Sequence, residues 1–276
     1  MKSIQTVTSA SNPRIRLLKS LQTVKGRRES GLFPAEGLRL TSEIRTPWEA
    51  ETVVLSDSFW EEYRERLPQI VTDALAQGRD VLQVPDTLFQ TICETQHPQG
   101  ILAAVRRPEF RPENIARGER PFLIALENVQ DPGNAGTILR TADAAGADGV
   151  LLSKGCVDIY SPKAVRASMG SVFHIPAAYT DDFPGTLRRL QADGIRVFAA
   201  YLDGSRSLYD ADLSGGSVML IGNEGNGLSA AVAALADERI RIPQPGRAES
   251  LNASAAAAVI IYEALRQRLG GEAHAY

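Results

Sequence analysis

Short apolar runs alternate with amphipathic stretches along most of the chain, and the change of period marks out the elements. TVVLS (52–56), DVLQV (80–84) and GILAAV (100–105) have the length and apolar, β-branched content of strands. ESGLFPAEGLRLTSEI and DSFWEEYRERL carry helix-like spacing, and PDTLFQTICE opens with a Pro-Asp helix start. Together these predict a small α/β domain over residues 1–107. The pattern then breaks at RRPEFRPENIARGERP (106–121), which holds three prolines and several charges without a lasting period. Such a stretch predicts an interdomain linker, placed at 108–120.

Beyond it the alternation strengthens. FLIALE (122–127), GVLLS (149–153), IRVFAAY (195–201), SVMLIG (217–222) and ERIRIP (238–243) are continuous apolar or β-branched runs, as expected of strands covered on both faces. Helical patterns fall around 135–145, 162–169, 183–193, 229–236 and 251–269. Repeated strand–helix units over 121–276 predict a mainly parallel sheet with helices on both sides. In such sheets ligands bind beyond the carboxyl ends of the strands, so chemistry is expected in this second domain.

Composition is that of a globular chain, 43% hydrophobic and 23% charged. No apolar run approaches the roughly 20 residues that cross a bilayer, and the N-terminus lacks the apolar core of a secretory signal. Cys93 and Cys156 fit no metal-ligand spacing, and three scattered histidines do not help them, so no metal is expected. Two lone cysteines suit a reduced, cytoplasmic compartment. Charge adds an asymmetry. Residues 1–46 hold nine Lys or Arg against three acids, whereas the whole chain is at −3. A basic end on an acidic chain fits contact with a polyanion such as nucleic acid, and equally fits solvated helix faces.

Three stretches that follow strands are rich in Gly, Asn and Pro: NVQDPGNAGTILRTADAAG (128–146), LIGNEGNGLS (220–229) and IPQPGRAESLNASAAAA (242–258). The glycines of the second match neither a phosphate loop, which needs a following lysine, nor a G-x-G-x-x-G dinucleotide turn, and Glu224 would repel a phosphate. Taken singly, each stretch has an ordinary explanation. Asn134 is expected to cap a helix on which Arg140 lies six positions on, Glu224 could cap the helix from Leu228, and Ser250 looks like an N-cap with Asn252 exposed nearby. Their occurrence together, each at a strand end, points to one shared cleft.

The ordered set DPGNAGTILRTADAAGADGVLLS, PKAVRASMG, LIGNEGNGLS, IRIP and ESLNASAAAAVIIYE resembles the SpoU (TrmH-type) RNA 2′-O-ribose methyltransferases of the SPOUT superfamily. TSASNPRIRLLKSL, KGRRESGLFPAEGLRL and HPQGILAAV are similar to the L30e/L7Ae-like substrate-binding domain found before it in this group. The resemblance implies an α/β parallel-sheet domain with a C-terminal deep trefoil knot, S-adenosyl-L-methionine as cofactor, and a homodimer whose active site lies at the subunit interface. It implies catalytic roles for Asn134, Arg140, Glu224, Ser250 and Asn252. Leu220, Ile221, Gly222, Asn223, Gly225, Gly227, Ile242, Leu251 and Ala253 are implied as the cofactor site. Asn134 and Glu224 are expected to hold Arg140. Lys25, Arg39 and Arg166 are the expected RNA contacts. The two-domain arrangement resembles the branch acting on large-subunit (23S) ribosomal RNA. Alternatives are methylation of transfer RNA, an RNA-binding assembly factor without catalysis, and a Rossmann-type nucleotide enzyme, which the missing G-x-G-x-x-G opposes.

Overall fold

The computed structural model describes residues 3–201 and 206–270. They fall into two compact units. The first comprises the chain up to Pro108 together with Asp158–Phe173; the second comprises Glu109–Val157 and the chain from His174 onward.

The first unit runs β1 (Gln5–Thr6), α1 (Pro13–Ser20), α2 (Val24–Ser30), β2 (Leu32–Glu36), α3 (Leu38–Ser42), β3 (Glu49–Ser56), α4 (Asp57–Tyr63), α5 (Gln69–Ala76), β4 (Asp80–Val84), α6 (Asp86–Gln90) and β5 (Ile101–Arg106). Its sheet has the order β1-β4-β3-β5-β2, so it is the expected small α/β fold. LFPAE departs from the expectation: the helix-like stretch that contains it includes β2, paired antiparallel with β5 from Leu32↔Arg106 to Glu36↔Leu102. Pro34 is tolerated because β2 is an edge strand, where a missing N–H need not break a ladder.

Helix α8 (Pro162–Ser168) and the turn Ser171–Phe173 group with this unit, although their sequence neighbours belong to the other. The reason is aromatic packing. Tyr160 and Phe173 lie 4.9 and 5.9 Å, centroid to centroid, from the fully buried Phe33. Trp48 sits edge-on to Phe173 and donates its indole N–H to the Phe173 carbonyl at 2.7 Å. Arg27, with only 3% of its side chain exposed, donates Nε–H to Asp158 at 2.8 Å and Nη1–H to the Leu21 carbonyl.

The second unit contains β6 (Phe122–Leu126), α7 (Pro132–Ala144), β7 (Gly149–Ser153), β8 (Ala177–Thr180), α9 (Phe183–Ala192), β9 (Arg196–Ala200), β10 (Arg206–Ser207), β11 (Ser217–Ile221), α10 (Ala230–Ala233), β12 (Glu238–Arg241) and α11 (Ala253–Leu269). All its strands pair in parallel, in the order β10-β12-β9-β11-β6-β7-β8. Every residue of β6, β7 and β11 is buried, which is why these strands read as unbroken apolar runs. The stretch expected as a linker joins this unit, with Ile115 fully buried in its core beside Leu123 and Leu151.

Candidate functional site

The site is built where β6 and β11 end. They are neighbours in register from Ser217↔Phe122 to Ile221↔Leu126, so the two loops that follow leave the sheet side by side. After β11 the backbone folds back on itself: Asn223 and Gly227 exchange N–H···O bonds of 2.9–3.0 Å, and the Asn223 side chain accepts from the N–H groups of Gly225 and Asn226. Gly222 permits this fold, since a Cβ there would lie 2.2 Å from the Gly227 carbonyl carbon.

Glu224 then reaches across to the other loop. Its carboxylate accepts from the backbone N–H of Gln130 (3.1 Å) and Asp131 (3.0 Å) and from the Asn134 amide (3.1 Å). Asn134 in turn accepts from the Asn252 amide at 3.1 Å. Partial burial raises the Glu224 carboxyl, but the Asn134, Gln130 and Asp131 bonds outweigh it and hold the group below its ordinary value. Thus Asn134, Glu224 and Asn252 meet, as the three motif stretches led one to expect.

Local roles differ from the sequence expectation at both helix starts. Asp131, not Asn134, caps α7, accepting from Asn134 N–H at 2.8 Å. Pro132 suits the first helical position, so Asn134 falls in the first turn with its side chain free for Glu224 and Asn252. Asn252, not Ser250, caps α11, accepting from Ser254 and Ala255. Ser229 caps α10, so Glu224 has no capping duty. Arg140 is exposed on α7 and is bonded by neither Asn134 nor Glu224, whose acceptors are engaged elsewhere.

Beside this cluster lies a cavity of about 400 Å³, within the range of small-ligand sites. Ile221, Gly222, Asn223, Glu224, Gly225, Gly227, Ile242, Ser250, Leu251 and Ala253 all line it. Leu220 does not, because it packs in the apolar core with Leu123 and Val197. The Gln244 Oε1 atom, also in the wall, is buried without a hydrogen-bond partner. A buried acceptor left open fits a ligand bearing amino or hydroxyl donors, and the close-folded backbone around Gly222 offers it further polar groups. Apolar walls from Ile221, Leu228, Ile242 and Ile260 suit the flat and aliphatic parts of an adenosine-plus-methionine molecule.

Sequence reading missed Glu127. It is 6% exposed and grips Ser229 through N–H (2.8 Å) and Oγ (2.6 Å), closing the base of the 222–229 loop. The signal was an acid ending the apolar run FLIALE. Burial pushes the Cys156 thiol up against opposing hydrogen bonds from Ser153 and the backbone, which disfavours the thiolate. Among the described residues no group of three or more His, Cys, Asp or Glu side chains gathers to hold a metal.

Residues 121–262 match the SpoU rRNA Methylase family, and residues 12–103 match the MRM3-like substrate binding domain. The chain belongs to the SpoU family. It is 34% identical to the 23S rRNA (guanosine(2553)-2′-O)-methyltransferase RlmP of Bacillus subtilis, over 95% of this chain and 98% of that protein. A crystal structure of an AdoMet-bound rRNA methyltransferase from Sinorhizobium meliloti superposes with a TM-score of 0.85 at 37% identity, covering 95% of this chain and 98% of that one. The SpoU methyltransferase AviRb from Streptomyces viridochromogenes, in complex with AdoMet, gives a TM-score of 0.82 at 29% identity, covering 94% of this chain and 100% of that one.

Proposed function

We propose that this SpoU-family protein transfers the methyl group of S-adenosylmethionine to a ribose 2′-hydroxyl of large-subunit ribosomal RNA. The observation that carries this is the hydrogen-bonded series Asn252–Asn134–Glu224, which joins stretches 118 and 90 residues apart beside a cavity walled by the glycine loop. The activity in the name of the Bacillus subtilis relative, and the cofactor in the Sinorhizobium meliloti structure, support it.

Bound in the cavity, S-adenosylmethionine supplies a methyl group on sulfonium, an electrophile with a neutral leaving group. The protein's share is alignment and management of the hydroxyl proton. Glu224 is not the base, because its oxygens are taken by four N–H donors. Arg140 is not the base either, since a guanidinium stays protonated. Its role is to hold an RNA phosphate and stabilise charge developing on the 2′-oxygen, while the proton passes to water. Ser250 and Asn252 position the nucleotide.

Arg140 points away from its own cluster. Six residues along a helix turn it about 120° from Asn134 and carry it about 9 Å further on, and it does not line the cavity. This supports a homodimer in which Arg140 serves the partner's site. Residues 242–252 lead from β12, on the far side of β9 and β11, back to α11 against α7. Ile242, Gln244 and residues 249–251 line the same cavity as the 222–229 loop, an arrangement that supports a trefoil knot there. Free Cys93 and Cys156 fit a reducing, cytoplasmic setting.

The test is a methyl donor tritiated on the methyl group, incubated with ribosomal and transfer RNA, followed by ribose-methylation mapping. Label at one 2′-O position of large-subunit RNA is expected. Label confined to transfer RNA would shift the substrate, and a donor that binds but labels no RNA would select the assembly-factor alternative.

A further inference from the structure

Among the described residues, Ser217 Oγ and Gln244 Oε1 are the buried side-chain polar atoms without a hydrogen-bond partner, and of the two only Gln244 lines the cavity beside the glycine loop. An orphaned acceptor costs folding free energy, so its presence needs a reason that the folded chain alone does not supply. The backbone holds this side chain in place. Pro243 and Pro245 flank Gln244; each ring fixes its own φ, and the following proline confines Gln244 to extended conformations. Burial alternates along the segment, with Ile240, Ile242 and Gln244 less exposed than Arg241 and Pro243, as side chains on opposite faces of an extended chain are. Ile240, Ile242 and Gln244 all line the cavity. They form a stripe of two branched apolar side chains ending in an amide.

S-adenosylmethionine carries three kinds of donor that could meet this acceptor: the α-ammonium, the ribose hydroxyls and the 6-amino group of adenine. The ammonium is charged and has a stronger partner in Glu249, a carboxylate of the same wall in no ion pair with the described residues. A ribose hydroxyl would engage one end of the amide. The adenine edge engages both, because the amide and the pair formed by the 6-amino group and its neighbouring ring nitrogen are planar and complementary, the match by which Gln reads adenine in nucleic acids. Ile240 and Ile242 offer the ring an apolar face. We infer that Gln244 selects adenine in the methyl donor: Oε1 accepts from the 6-amino group, and Nε2–H donates to the ring nitrogen beside it. The inference rests on S-adenosylmethionine as the cofactor but not on which RNA is methylated.

It is tested by calorimetry on the full chain with two ligands that have no methyl group to transfer: S-adenosylhomocysteine, and its purine analogue in which hydrogen replaces the 6-amino group. Wild-type protein is expected to bind the analogue about tenfold more weakly or worse, because Oε1 then stays orphaned. Gln244→Met keeps the length of the side chain and removes both polar ends. It should bind S-adenosylhomocysteine about tenfold more weakly than wild type and prefer it over the analogue by about twofold at most. Glu249→Gln should weaken both ligands by the same factor. Equal wild-type affinity for the two ligands, or a preference undiminished in Gln244→Met, would overturn the inference and leave the methyltransferase reading standing. A preference lost in Glu249→Gln would give the adenine edge to Glu249 and overturn it as well. Wild-type protein that binds neither ligand would remove the cofactor reading, and the inference with it.

Discussion

Gly222 has no room for any side chain, because its neighbours across the loop are main-chain atoms that cannot swing aside. Gly222→Ala is expected to abolish S-adenosylmethionine binding by calorimetry while circular dichroism stays close to wild type. Glu224 is as constrained by charge as Gly222 is by space. In Glu224→Gln an amide N–H₂ replaces one of two oxygens that each accept from two N–H donors, and cofactor affinity should fall about tenfold, the size of one or two broken hydrogen bonds. The pH response follows from the direction of the shift. The carboxyl titrates lower in the folded chain than its ordinary 4.5, so its contribution is complete above that value and is lost as pH falls through the folded one. Cofactor binding should therefore show no Glu224-dependent change between pH 8 and 6, and Glu224→Gln should flatten the decline seen below pH 4.5. The polar residue types of this cluster were legible in the sequence because chemistry dictates them. The partners were not, since the bond from the Asn252 amide to Asn134 forms only once α7 and α11 are side by side.

Helix α11 is the element on which most of the second unit's closure depends. It packs on α7, its cap Asn252 bonds Asn134, and near its end Gln267 accepts from Leu213 N–H and donates to the Ala211 carbonyl. Asn252→Ala removes its cap and the bond to Asn134. A loss of about 1–2 kcal/mol in the stability of this unit is expected from urea unfolding, with a larger fall in turnover than in cofactor affinity. Strands and long helices of this unit were readable from periodicity, because parallel strands buried on both faces leave an unbroken apolar signature. The short β8 and β10 and the edge strand β2 were not: two to five residues of mixed character have no period, and only pairing with a neighbour defines them.

At the scale of the molecule, the two units divide by contact rather than by sequence order. Asp158–Phe173 interrupts the second unit's sequence yet groups with the first. Arg27→Ala would leave Asp158 without its buried partner and is expected to cost about 3–5 kcal/mol in unfolding of the first unit, whereas Arg27→Ala combined with Asp158→Ala should recover part of that loss. The proposed dimer is open to complementation. Arg140→Ala and Gly222→Ala proteins should each be inactive, and a mixture allowed to exchange subunits should regain about a quarter of wild-type methyl transfer, the share of sites rebuilt in mixed dimers. A mixture as inactive as its parents would place Arg140 in its own subunit's site.

By itself the sequence determined what depends on neighbours in the chain: the period of each long strand and helix, the glycines without which the 222–229 loop cannot close, and the residue types gathered at three strand ends. It also carried the family resemblance through those same residues. Tertiary structure decided which side chains meet across the loops and to which unit residues 158–173 belong. The Asn134–Glu224, Asn252–Asn134 and Arg27–Asp158 bonds join residues 90, 118 and 131 positions apart, and a local pattern holds no information about which distant surface will complete it.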